Sequence, residues 1–151
     1  MSDTYIGAEL RREIVARAGR RCEYCLTHES DTFLGCHVDH VISEKHGGST
    51  NLENLALACV FCNRHKGSDI ATLDEEGRLT ALFNPRLQSW SMHFEFDGIR
   101  IRGLTREGRA TVRLLQMNDE MRLQERLMQS SEQTGEMEVR PPRPISPTFP
   151  Q

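Results

Sequence analysis

Two short cysteine pairs constrain this 151-residue chain more than any other feature. Cys22-x2-Cys25 and Cys59-x2-Cys62 stand 33 residues apart. Each pair can turn tightly and offer two thiolates to one ion, and two such turns close a tetrahedral four-sulfur site, the pattern of structural zinc. The rival readings of the same thiols are an iron–sulfur centre and a redox dithiol. The fifth cysteine, Cys36, falls outside the pattern and reads as a small buried apolar residue. An odd cysteine count argues against a disulfide framework. The opening residues, MSDTYIGAELRRE, lack the apolar stretch of a secretory signal, so a reduced, cytoplasmic setting is expected.

The width of the gap matters as much as the pairs. A plain zinc ribbon leaves about 15–20 residues between its knuckles. Here the interval also holds His37, Asp39, His40, His46, Gly47, Gly48, Asn51 and Asn54. A structural ion needs none of them.

Local patterns place this machinery. Leu10, Ile14 and Ala18 recur at helical spacing, predicting a helix over residues 8–19 with Gly19 at its stop. Phe33–Val38 reads as a strand ending at Asp39-His40, with Val41-Ile42 opening the second arm of a hairpin. Residues 43–50, SEKHGGST, read as a glycine-rich loop, and Thr50 with Glu53 has the form of a capping box. Glu44 reads as solvated. A short helix is expected over Asn63–Gly67. Further on, SMHFEF and IRIRGL flank Asp97-Gly98, a two-residue hairpin signal, with Met92, Phe94 and Phe96 on one strand face. Trp90 and His93 are expected to pack this region. Residues 105–129 read as two helices, with Thr105 as an N-cap and Asn118 as a break or cap. From about residue 130 the chain holds five of its six prolines and is expected to be disordered.

The run VDHVISEKHGGSTNLENLALACVFCNRHKG resembles the HNH endonucleases, the ββα-metal nucleases, in their zinc-knuckle subgroup. The order C-x-x-C, D-H, GG, N-L-x-N-L, C-x-x-C-N-x-x-K over residues 20–70 carries the resemblance, and LFNPR…W…HF followed by GLTREGRATVRLL extends it more loosely to about residue 127. The resemblance implies an α+β fold: a ββα-metal core stapled by a four-cysteine zinc site, with flanking helices and a small β-hairpin. With the local patterns, this divides the chain into four expected parts: an N-terminal helix over 1–20, the nuclease core over 21–70, a hairpin and C-terminal helices over 71–129, and the disordered Pro-rich tail over 130–151.

The same resemblance assigns roles. His40 stands at the general-base position, suited by an unperturbed pKa of about 6.5. Asp39 and Asn63 stand at the two ligand positions for a catalytic divalent ion, Mg²⁺ or Mn²⁺. Asn54 is the middle asparagine, holding the loop and orienting the His40 ring. Cys22, Cys25, Cys59 and Cys62 take the structural zinc. The third motif letter is Asn63 rather than histidine, and His65, two residues on, does not share its helical face. His37, His46, Arg64, His65 and Lys66 are left as phosphate contacts or as supports behind the ligands. The implied activity is hydrolysis of DNA phosphodiester bonds, leaving 5′-phosphate and 3′-hydroxyl ends.

Bulk charge lends this reading no support. The net charge is −3 and the pI about 6.1. Of 19 basic residues 17 are arginine, which suits phosphate but follows equally from coding bias. Arg100 and Arg102 on a strand face, and Arg106, Arg109 and Arg113 on a helical stripe, form either a local phosphate-binding surface or an ordinary solvated face. No apolar run approaches the roughly 20 residues of a membrane span. Two other readings stand beside the nuclease: a zinc-knuckle module that binds nucleic acid without cutting, and an interaction protein in which zinc only holds the fold.

Overall fold

The computed structural model describes residues 5–132. The expected disordered tail lies outside them from residue 133 on. Residues 130–132, which the composition assigns to that tail, continue the last helix.

The architecture is α+β. Helix α1 (Ala8–Arg17) is followed by the first cysteine pair and then by β1 (Cys36–His40), β2 (Leu55–Cys59) and α2 (Val60–Lys66). Two further hairpins follow, β3 (Ala71–Leu73) with β4 (Leu79–Ala81), and β5 (Phe94–Asp97) with β6 (Arg100–Gly103). The one-turn helix α3 (Trp90–His93) leads into β5, and α4 (Arg106–Leu114) and α5 (Glu120–Glu132) close the described chain. Among the described residues all three sheets are two-stranded and antiparallel. No helix among the described residues is long and apolar enough to cross a membrane.

The β1–β2–α2 unit positions everything of interest. Its register sets Cys36 opposite Cys59 and His40 opposite Leu55. The second arm is therefore Leu55–Cys59, not the Val41-Ile42 segment expected from sequence. The reason is burial: all five residues of β2 are enclosed, so the strand shows no polar alternation to announce it. The strand β1 also starts later than expected, because Phe33 and Leu34 are exposed in the preceding loop. From α1, Ile14 is fully buried against this unit. Arg11 donates to the Cys36 carbonyl at 3.0 Å, and Arg17 donates to the carbonyls of Leu52 and Leu55.

The remaining elements brace the unit from behind. Phe83, Trp90 and Phe94 form an aromatic cluster, with Phe83 edge-on to Phe94 at 5.0 Å. Met92 lies in α3 and is exposed, so it does not share the Phe94 strand face. The tight turn is Gly98-Ile99, one residue beyond the expected pair, because Asp97 pairs with Arg100 and Gly98 takes the positive φ of +60°. Gly103 lets β6 meet α4 closely, since a Cβ there would collide with the Arg109 backbone nitrogen, and Gly108 lets α4 meet α3, since a Cβ there would collide with the His93 carbonyl oxygen. Thr105 caps α4, accepting from Gly108 N–H at 3.0 Å. Asn118 does break the helix pair, but its amide bonds both backbone groups of Ile101 rather than capping α5.

Candidate metal centre and reaction site

The four knuckle sulfurs converge. Cys22, Cys25, Cys59 and Cys62 are buried, with their Sγ atoms all within 4.8 Å of one another. Tetrahedral Zn–S bonds of about 2.3 Å put neighbouring sulfurs roughly 3.8 Å apart. Cys25 Sγ and Cys59 Sγ stand 3.7 Å apart. The surroundings suit charged thiolates. Cys25 N–H points to Cys22 Sγ and Cys62 N–H to Cys59 Sγ, each at 3.4 Å. Arg122 of α5 donates to Cys62 Sγ at 3.0 Å and reaches Cys59 Sγ at 3.6 Å. Burial works against the Arg122 charge, but the thiolates of Cys62, Cys25 and Cys59 outweigh it and hold its pKa above the ordinary arginine value. The donor set and its compensation fit one zinc ion. Cys36 stays outside it, and burial pushes its thiol up to about 12.

The first knuckle is pinned by its own inner residues. Glu23 is buried, accepts from Leu57 N–H at 2.8 Å, and pairs with Arg86. Burial raises the Glu23 pKa, with Arg86 opposing. Tyr24 is buried, and its carbonyl accepts from Trp90 Nε1 at 2.9 Å.

Asp39 and His40 sit at the end of β1. Asp39 is only 5% exposed. Tyr24 O–H donates to its Oδ2 at 2.9 Å, and Lys66 Nζ stands 3.1 Å from Oδ2 and 3.4 Å from Oδ1. Burial raises the Asp39 pKa, while Lys66 and Tyr24 pull it back down. Lys66 also donates to the His40 carbonyl at 3.0 Å. Lys66 is thus enclosed behind Asp39, and its amine is not presented to a phosphate. Asn63 is half-buried on α2, three residues before Lys66 and so on the same helical face. A carboxylate and an amide carbonyl are hard oxygen donors, the chemistry that Mg²⁺ or Mn²⁺ takes.

The His40 ring has a partner that the sequence does not single out. Its Nε2 lies 2.9 Å from Thr50 Oγ1, and Thr50 donates onward to Glu44 Oε1 at 2.7 Å. With the Thr50 proton spent on Glu44, its oxygen accepts from Nε2–H, and Nδ1 carries the free lone pair. Glu44 Oε1 is itself 3.7 Å from Nε2. Glu44 is therefore engaged rather than solvated. Thr50 is not the start of a capping box; Asn51 precedes the short 3-10 turn Leu52–Asn54.

Asn54 clamps the loop. Its Oδ1 accepts from Ile42 N–H at 2.9 Å, and its Nδ2 donates to the carbonyls of Ile42 at 2.7 Å and Ser49 at 2.8 Å. Its bonds go to backbone, and the ring contact is Thr50's. Gly47 takes a φ of +88°, and a Cβ on Gly48 would collide with the Ile42 carbonyl oxygen. The glycine pair is therefore what lets the loop fold back onto the Asn54 clamp.

The other candidates scatter. His37, His46 and Arg64 are exposed, and His65 is half-buried. Arg102 pairs with Glu95 and Arg106 with Asp74, so the arginine surface is partly neutralised. Sequence reasoning does not find Tyr24, Thr50, Glu44 or Arg122. For Thr50, its place shortly past the two glycines is a signal; for the others no local pattern marks them.

Residues 22–69 match the family model described as HNH endonuclease. No curated protein and no solved structure matches the chain.

Proposed function

We propose that this chain, whose residues 22–69 form an HNH endonuclease domain with a four-cysteine zinc knuckle, hydrolyses DNA phosphodiester bonds with a divalent ion. The observation that carries the reading is the His40–Thr50–Glu44 chain beside the buried Asp39. A histidine whose Nε2–H is engaged presents Nδ1 to a water as general base. Asp39 and Asn63 would hold the divalent ion, which supplies neutralisation of charge on the phosphate and the leaving oxygen. His40 then takes the proton of the attacking water, while Thr50 and Glu44 keep the ring turned. Asn54 and the two glycines keep the loop that carries Thr50 folded against the end of β1. The products expected are 5′-phosphate and 3′-hydroxyl ends. Exposed Arg64, Arg109 and Arg113 are the candidates for backbone phosphate contacts.

The test is incubation of the purified chain with supercoiled plasmid and Mg²⁺ or Mn²⁺, with His40→Ala alongside. Nicking or linearisation by the unmodified protein and not by the variant is the expected result. Equal cutting by both would refute the role of His40. DNA binding without cutting by either would favour the non-cleaving module.

A further inference from the structure

Asp39 is gripped from two sides, and each grip traces back to one zinc knuckle. Tyr24 lies between Cys22 and Cys25, is only 1% exposed, and gives its hydroxyl proton to Asp39 Oδ2 at 2.9 Å. Lys66 lies one helical turn after Cys62, on the helix that Cys59 caps, and reaches the same carboxylate at 3.1 Å. A buried tyrosine hydroxyl needs some partner. The partner here is one of the two oxygen donors assigned to the divalent ion. The backbone of Tyr24 is fixed by Trp90 Nε1 at 2.9 Å, and its neighbour Glu23 is tied to Leu57 of β2. The ring therefore has little freedom once the knuckle is closed. A carboxylate offers about four lone-pair directions. Tyr24 takes one direction on Oδ2, and Lys66, 3.1 Å from Oδ2, gives its hydrogen bond to Oδ1 at 3.4 Å.

We propose that Tyr24 is a positioning residue through which the first zinc knuckle orients Asp39, so that zinc in the four-cysteine site and a divalent ion at Asp39 bind cooperatively. This rests on the divalent-ion reading above. It adds a physical link between two sites that have no ligand in common. Supports behind metal ligands are worth roughly 10–100-fold in metal affinity. Tyr24→Phe keeps the ring and removes only the donor.

The experiment uses the full, zinc-loaded chain and Mn²⁺ as the probe, with free Mn²⁺ followed by electron paramagnetic resonance. Zinc content and melting temperature are measured on the same samples. Tyr24→Phe should keep one zinc per chain and melt close to the unmodified protein, while its Mn²⁺ dissociation constant rises about tenfold. Unchanged Mn²⁺ affinity in that variant would overturn the proposal and leave the nuclease reading intact. A second measurement needs no substitution at Tyr24. The chain has two tyrosines, Tyr5 and Tyr24, so 3-fluorotyrosine labelling gives two ¹⁹F signals. One of them should shift on Mg²⁺ titration, and should not shift in Asp39→Asn. Two static signals at saturating Mg²⁺ would likewise overturn it. Absence of Mn²⁺ binding by the unmodified chain would overturn both the divalent-ion reading and this inference.

Discussion

Lys66 Nζ and Asp39 Oδ2 lie 3.1 Å apart, with side chains 2% and 6% exposed. An ion pair this enclosed is held mainly against the cost of leaving either member alone. Lys66→Met should therefore destabilise the chain by about 3–5 kcal/mol. Urea unfolding measures it, and a loss below about 1 kcal/mol would contradict the pairing. Lys66→Met combined with Asp39→Leu should recover much of the loss, because no uncompensated charge is then buried.

Thr50→Val removes the oxygen that receives His40 Nε2–H. The expected effect is a fall in kcat of about tenfold, a fraction of the roughly 10²–10⁴ that a general base supplies. KM for DNA should stay constant, since Thr50 holds the ring and not the substrate. A fall in affinity with kcat preserved would assign Thr50 to binding instead.

Arg122→Gln takes the guanidinium off Cys59 and Cys62. Zinc affinity should drop roughly 10–100-fold. A chelator competition read by a zinc-sensitive dye checks this. Removing the zinc altogether should lower the melting temperature, because ion binding is coupled to folding.

Gly48→Ala forces a Cβ into the space held by the Ile42 carbonyl and the Asn54 amide. Overpacking of this kind costs about 1–3 kcal/mol. Cleavage should fall with it, since Asn54 is displaced along with the loop. The same change at Gly7, whose Cβ position has nothing within 4 Å, is the control for replacing a glycine without a clash.

Asp74 gives a pH prediction away from the site. Bonds from the Arg78 and Glu76 amides and from Arg106 hold its carboxyl down to about 2. The folded form therefore prefers the ionised group more than the unfolded chain does. That preference contributes fully above the unfolded carboxylate value of about 3.9 and is lost as pH falls through about 2. Asp74→Asn should flatten this part of the acid unfolding curve, and NMR titration of the carboxyl should give its midpoint near 2.

How much of this is legible in the sequence varies with what each residue does. The cysteine pairs declare themselves because one ion dictates their spacing. The Thr105 cap follows from local chemistry and is readable; β1 and α2 are readable as elements but not in their bounds, since β1 opens at Cys36 rather than Phe33 and α2 at Val60 rather than Asn63. Strand β2 is not, since a segment enclosed on both faces carries no alternation. Tyr24 and Lys66 are unreadable as partners of Asp39 for a different reason. Each stands inside a motif with an obvious other purpose, and only the folded chain brings three separate segments onto one carboxylate.

Arg122 stands 60 positions beyond Cys62 in the chain. It covers the thiolates only when α5 has docked. Metal delivery to the nascent protein therefore has a natural window. All four cysteines are available once residue 62 is, and the arginine cover over Cys59 and Cys62 is added later, when the last helix arrives. Zinc loss is therefore expected to quicken when α5 lifts away, and hydrogen exchange along that helix followed beside zinc release checks it.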